Sequence, residues 1–78
     1  MTVSAYVFVL TEMDKTSAVA DAIRSIEGVD EVDVVTGPYD VIVKASADTM
    51  DELGQMVLGH VQKVAGINRT ITSPVVNI

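Results

Sequence analysis

The chain is 78 residues long, which is the size of one domain, so we expect residues 1–78 to form a single unit. Eleven acidic and five basic residues give a net charge of −6, which excludes DNA or RNA binding by this chain alone and disfavours anionic membranes. The absence of cysteine excludes disulfides and thiolate metal sites. No apolar run approaches the roughly 20 residues that span a bilayer. The N-terminus lacks the basic segment of a signal peptide, so we predict a cytoplasmic protein.

The hydrophobic content is high for so small a chain, at 49 % of residues. A domain of this size buries only roughly 60 % of its unfolded surface. An excess of apolar residues over what one small core can hide predicts that the chain shares apolar surface with another subunit.

The first half of the chain predicts a strand, a helix and a second strand. Residues 3–10 are rich in β-branched and aromatic side chains and are apolar on both faces, which is typical of a central strand. Residues 14–26 carry apolar side chains at helical spacing, and Gly28 is placed to end that helix. Residues 29–35 predict the second strand.

The second half repeats this order. Residues 41–47 predict a strand, residues 49–64 a helix that Gly66 ends, and residues 67–76 a fourth strand. Pro74 cannot donate a ladder hydrogen bond, so the fourth strand is predicted to lie at a sheet edge or to end there.

A short internal repeat links the two halves. Five positions recur 38 residues later in type: Val19, Ile23, Ile26, Gly28 and Val29 match Val57, Val61, Val64, Gly66 and Ile67. The repeat predicts two βαβ halves, and right-handed crossovers then place the first and third strands in the centre. The predicted fold is α+β, a ferredoxin-like βαββαβ sandwich with an antiparallel four-stranded sheet and two helices on one face.

The uncovered face of that sheet predicts dimerisation. Two helices cover one face only, while the first strand is apolar on both, so a bare face is a patch on the order of several hundred Å². We expect it to pack against a twofold copy of itself.

The turn between the second and third strands, residues 36–40, is chemically richer than a tight turn requires. Gly37 and Pro38 suit a corner, but the same segment adds the Thr36 hydroxyl, the Tyr39 ring and the Asp40 carboxylate. We therefore regard this segment as the first candidate for ligand binding.

The sequence resembles a known family at this point. The motifs are Ala5-Tyr6-Val7-Phe8-Val9, Val19-Ala20-x-Ala22-Ile23, Ile26-x-Gly28-Val29, Thr36-Gly37-x-Tyr39-Asp40-x-x-Val43 and Gly66-Ile67-x-x-Thr70-x-Thr72. Together they resemble the effector-binding (RAM) domain of the Lrp/AsnC transcription regulators, over essentially the whole chain. The Thr-Gly-x-Tyr-Asp element is the specific part. Because the first strand begins at Val3, we expect a stand-alone module without the helix-turn-helix domain.

The resemblance implies a function and an assembly. It implies a sensor of free amino acids or similar small effectors, linked to transcriptional regulation of amino acid metabolism. It implies homodimers that assemble further into an octamer or similar ring, with ligands bound at interfaces between dimers. It also implies a possible partner, a full-length Lrp/AsnC regulator.

Several residues are candidates for the ligand site. Backbone at Gly37 and the Thr36 hydroxyl can donate to a ligand carboxylate, and Asp40 can accept from an ammonium, while Pro38 shapes the loop. The alternative, that Thr36 and Asp40 only satisfy turn groups, stays open. For Tyr39, a role in packing is expected more than a contact with the ligand.

The final strand adds three hydroxyl candidates. Thr70, Thr72 and Ser73 lie where the family places part of its pocket, although threonine is also ordinary in an edge strand. The family often has bulkier side chains where this chain has Ser73-Pro74, so the resemblance leaves the ligand's identity open.

Other functions are disfavoured by missing groups. A metal site is not expected because His60 is the only histidine, and no catalytic residues or cofactor are predicted. The alternatives are a pure assembly scaffold, a dimeric α+β barrel enzyme, and an ACT-like regulatory module. This chain lacks the nucleophile and base set that such an enzyme needs. It also lacks the glycine-rich turn that ACT domains usually have after the first strand.

Overall fold

The computed structural model describes residues 2–77, one residue short of the predicted domain at each end. Its elements are β1 Val3–Thr11, α1 Thr16–Arg24, β2 Val29–Val34, β3 Val41–Ala47, α2 Met50–Met56, a π-helical turn Val57–Val61 that continues α2, and β4 Ile67–Pro74. The sheet is antiparallel with strand order β2-β3-β1-β4. The predicted ferredoxin-like α+β fold is therefore confirmed, with β1 and β3 in the centre.

The core lies between the sheet and both helices. Alternate residues of the two central strands are fully buried and join helix residues in one apolar cluster: Ala5, Val7, Val9, Val41, Val43 and Ala45 with Val19, Ala20, Ile23, Leu53, Met56, Val57 and Val61. Because side chains alternate across a strand, the residues between them point to the opposite face.

That opposite face, here called the open face, has no helix over it in the described chain. Its apolar residues are Tyr6, Phe8, Leu10, Ile42 and Ile71, which the strand register places side by side. Tyr6 is 40 % exposed, and the other four are half-buried. Lys44 lies over the Tyr6 ring, with its Nζ 5.8 Å from the ring centroid. The predicted bare apolar face is thus present.

The first helix is shorter than the predicted 14–26. Asp14 has a φ of 65°, in the left-handed region that a helix cannot contain, so α1 begins only at Thr16. At the other end, the Ser25 hydroxyl and N–H both bond to the Ala22 carbonyl, and the chain turns away at this point.

The second helix begins as predicted and changes its winding midway. The Thr49 hydroxyl accepts from the Glu52 N–H at 3.1 Å and caps α2. From Val57 the helix widens to π geometry, with the Gln62 N–H donating to the Val57 carbonyl at 2.9 Å. Gly59, a weak α-helix former, lies inside this turn, and the helical segment ends at Val61 instead of residue 64.

Substitution of Gly66 tests the junction between α1 and β4. Gly66 has a φ of 99°, and a Cβ there lies 2.9 Å from Lys15 Cβ and 3.0 Å from Val19 Cγ2. We expect Gly66→Ala to lower the free energy of unfolding by about 2–3 kcal/mol. The positive φ strains an alanine backbone, and the added Cβ overlaps the Lys15 and Val19 side chains. Urea denaturation measures the change.

Gly54→Ala is the matched control. A Cβ at Gly54 meets nothing within 4 Å in the part of the chain that the structure describes, and the residue lies inside α2. We expect this variant to gain up to about 1 kcal/mol. Equal stability of the two variants contradicts the close approach at Gly66.

Candidate ligand-binding site

Asp40 lies at one end of the sheet and bonds to the backbone of the central strand β1 and of the residue that follows β2. Its N–H donates to the Val9 carbonyl at 3.0 Å, and its carbonyl accepts from the Val35 N–H at 3.0 Å. Its carboxylate Oδ2 accepts from the Thr11 N–H at 2.8 Å and faces the Thr11 hydroxyl at 3.3 Å. Asp40 therefore satisfies backbone groups of β1 and of the residue after β2, although not in the local turn pattern that the sequence left open.

The other carboxylate oxygen is available. No group within residues 2–77 donates to Asp40 Oδ1, and no buried side-chain oxygen or nitrogen there lacks a partner. Since Asp40 is half-buried, Oδ1 must reach solvent. The structure thus holds one oxygen in place and leaves the other free for a cationic donor.

The rest of residues 36–40, here called the site loop, is largely exposed. Thr36, Gly37 and Pro38 are exposed, and Gly37 adopts a φ of 126° that favours glycine. A Cβ at Gly37 meets no described atom within 4 Å, so the glycine is required by backbone conformation and leaves room for a ligand to approach.

Tyr39 links the site loop to the open face. Its ring packs against Phe8 with centroids 4.7 Å apart and planes tilted by 33°. This contact agrees with the packing role expected of Tyr39, and it places the site loop beside the open face.

The three candidates on β4 lie apart from the site loop. Thr70 pairs with Val9, which also pairs with Val41, so Thr70 is two strands or about 10 Å from the end of the loop. Ser73 pairs with Tyr6, roughly 10 Å further along the strand.

Strand alternation separates these three further. Thr70 and Thr72 pair with buried Val9 and Val7 and share the helix face, while Ser73 lies on the open face. The Thr70 hydroxyl also accepts from Gln62 Nε2 at 2.8 Å. Within one chain, therefore, the predicted residues of the site loop and of β4 do not line one pocket.

The sequence did not single out Thr11, which holds Asp40. Its register with β4 shifts between Leu10 and Thr11, an irregularity that often accompanies functional sites. The two residues are 29 positions apart in the chain, so local spacing could not reveal the contact. The only sequence signals for this contact were the motif around Asp40 and the position of Thr11 just after a predicted central strand.

A groove away from the site loop lies elsewhere in the described chain. It has a volume of about 430 Å³ and lies between the start of β2 and α2, with Gly28, Ser46, Glu52 and His60 among its lining residues. Nothing in residues 2–77 groups three or more potential metal-binding side chains. No helix in that range is long and apolar enough to cross a membrane.

The fold defines the chain as a small α+β domain of the ferredoxin-like class, and comparison with known proteins gives its family. The family model described as Lrp/AsnC ligand binding domain matches residues 4–78. The chain belongs to this family, as its motifs indicated.

The relatives include regulators of greater length. A Pyrococcus furiosus protein described as an uncharacterized HTH-type transcriptional regulator is 34 % identical over 70 residues, covering 83 % of this chain and 47 % of that protein. The chain thus spans about half the length of these curated regulators. Sulfurisphaera tokodaii homocitrate synthase is 38 % identical over 58 residues, which are 74 % of this chain but only 12 % of the enzyme.

Solved structures share the fold. A Thermus thermophilus protein superposes with a TM-score of 0.91 at 28 % identity, covering 97 % of this chain and 95 % of that one. A transcriptional regulator of Neisseria meningitidis, solved as a complex with L-Met, superposes with a TM-score of 0.84 at 19 % identity, covering 96 % of this chain and 50 % of that one. The second likeness shows the fold alone.

Removing the Asp40 side chain tests how much it contributes to the stability of the fold. We expect Asp40→Ala to lower the free energy of unfolding by about 1–2 kcal/mol, because the half-buried Thr11 N–H loses its acceptor. Asp33→Ala, at an exposed aspartate of β2, is expected to stay within about 0.5 kcal/mol of the wild type. Urea denaturation measures the free energy of unfolding of both variants. Equal losses contradict the role of Asp40 as the acceptor for the Thr11 N–H.

Proposed function

We propose that this chain is a non-catalytic module of 1–78 that senses a free amino acid or similar small effector and assembles into oligomers. Its output is transcriptional regulation of amino acid metabolism, and its location is the cytoplasm. The observation that carries the proposal is the Asp40 carboxylate, whose Oδ2 is fixed by Thr11 while Oδ1 stays open. Membership of a ligand-binding domain family supports it.

The ligand chemistry follows from the groups around that carboxylate. An amino acid presents an ammonium, which Asp40 Oδ1 can accept in a charge-assisted hydrogen bond. It also presents a carboxylate, for which the Gly37 N–H and the Thr36 hydroxyl are exposed donors. Pro38 shapes the loop between them. The Neisseria regulator that shares this fold was solved with L-Met, so amino acids are the first ligands to test.

The β4 candidates join the site only through a second chain. We infer that Thr70, Thr72 and Ser73 come from a neighbouring subunit, because their own site loop is two strands away. An assembly of homodimers into an octamer or similar ring can provide such a neighbour. Binding is then tied to assembly.

The open face is the surface that we assign to the homodimer. Its five apolar residues form a continuous patch across three strands, and Tyr39 extends that patch to the site loop. Two twofold-related sheets packed face to face bury it on both subunits. This step brings a neighbouring chain next to each site loop.

Two alternatives have observations in their favour. The bare open face also suits a pure scaffold, which co-assembles with a full-length regulator and binds no effector. The other alternative is an enzyme of the dimeric α+β barrel type, and the observation in favour of an enzyme is the likeness to a segment of homocitrate synthase. That segment is a small share of the enzyme, which favours a module separable from catalysis.

Calorimetric titration with the proteinogenic amino acids tests sensing. We expect at least one to bind, and Asp40→Asn to weaken that binding at least about tenfold, since a hydrogen bond to a charged group is lost. Asp48→Asn removes the same charge at an exposed position beyond the far end of β3 and serves as the control, with affinity within about twofold of wild type. If no amino acid binds, the scaffold role replaces sensing.

Two neighbouring residues of β4 test the dimer surface. Ile71 lies on the open face and Thr72 on the helix face of the same strand. We expect Ile71→Asp to convert dimer to monomer at micromolar concentration, because it places a charge within the apolar contact. Thr72→Asp should keep the dimer, and sedimentation velocity distinguishes the two. A monomeric wild type contradicts the assignment.

A further inference from the structure

A chain of three hydrogen-bonding side chains joins the site loop to the start of α1. Thr16 Oγ1 lies 2.8 Å from Thr11 Oγ1, which lies 3.3 Å from Asp40 Oδ2. An ionised carboxylate only accepts, so the Thr11 hydroxyl donates to Asp40, and the Thr16 hydroxyl in turn donates to Thr11. The direction of both bonds is therefore fixed by the charge at one end.

The start of α1 contributes to this series of hydrogen bonds in an unusual way. Lys15 occupies the N-cap position, and no side chain of the described residues caps the helix there. Thr16 is the first residue of α1, and its hydroxyl bonds to Thr11 across the β1–α1 junction. A hydroxyl at a helix start usually caps backbone N–H groups, whereas the Thr16 hydroxyl bonds to Thr11, which holds the site loop.

We propose that Thr11 is a positioning residue for Asp40 and that Thr16 supports it. Together they hold Oδ2 so that Oδ1 is presented to the ammonium of the ligand. The Thr11 N–H bond restrains the carboxylate at one point, and the hydroxyl adds the second contact that limits its rotation. The ligand part of this inference rests on the proposed function, whereas the restraint on Asp40 does not.

Hydrogen–deuterium exchange without ligand provides the first test. Two amides report on Asp40: its own N–H, bonded to Val9, and that of Val35, bonded to the Asp40 carbonyl. In Thr11→Val, which keeps the backbone N–H and loses the hydroxyl, residues 35–41, read in a peptide that begins at residue 33, should exchange about fivefold faster. Thr16→Val should move the same peptide less, and Thr11→Ser should restore it.

Ser17→Ala is the control for the helix start. It removes an exposed hydroxyl next to Thr16 for which no bond is found within residues 2–77. Its exchange at 35–41 should match the wild type. Unchanged exchange in Thr11→Val, or an equal change in Ser17→Ala, overturns the positioning role.

The second test separates positioning from general support of the loop. The probes are L-methionine and 4-(methylsulfanyl)butanoate, which is the same molecule without its amine. We expect Thr11→Val to weaken L-methionine about five- to tenfold, to leave the affinity for the amine-free analogue unchanged, and to add nothing in an Asp40→Asn background. Thr11→Ser should recover most of the affinity.

The outcomes distinguish the two proposals. Equal weakening of both probes in Thr11→Val means that Thr11 shapes the whole loop, which contradicts the positioning role. If the wild type binds neither L-methionine nor any other amino acid, the proposed function fails. In that case the exchange experiment still decides whether Thr11 and Thr16 restrain Asp40.

Discussion

The burial of one apolar strand, β1, is the constraint on which the rest of this structure depends. Its alternate residues Ala5, Val7 and Val9 are fully buried against the helices, and it pairs with both β3 and β4. The strict alternation of a strand then leaves no choice for Tyr6, Phe8 and Leu10, which must face away. One strand therefore creates both the core and the apolar open face, and its last residue, Thr11, holds the site loop.

The order of the elements and the sheet topology could be predicted because they depend on local patterns. Apolar spacing, Gly28 and Gly66 all act over a few residues, and both glycines indeed have positive φ. The element ends were harder. The left-handed Asp14 shortens α1, and the π turn at Val57–Val61 shortens the second helical segment. Both depend on how the chain packs around the helix, which no local window contains.

The geometry of the candidate site was predictable only in part, for a related reason. The motif around Asp40 directed attention to residues 36–40, but the bond from Asp40 to Thr11 spans 29 positions and forms only when β1 and β3 are side by side. The hydroxyls of β4 were grouped with the loop through a family resemblance. Strand alternation instead divides them between two faces, with Thr72 on one and Ser73 on the other. Sequence adjacency is thus a poor guide to a shared pocket within a strand.

This separation has a thermodynamic consequence if a second chain completes the pocket. A ligand that contacts the site loop of one subunit and β4 of another binds only the assembled form. By linkage, it must then stabilise the assembly by the same free energy by which assembly raises its affinity. Under the proposed function, the open face favours the first step of that assembly without ligand, because the contact buries apolar surface. In that scheme the ligand acts on the later contacts between dimers, where a modest binding energy is sufficient to change the balance of states. Under the proposed function, a chain with a net charge of −6 reports amino acid levels through its state of assembly.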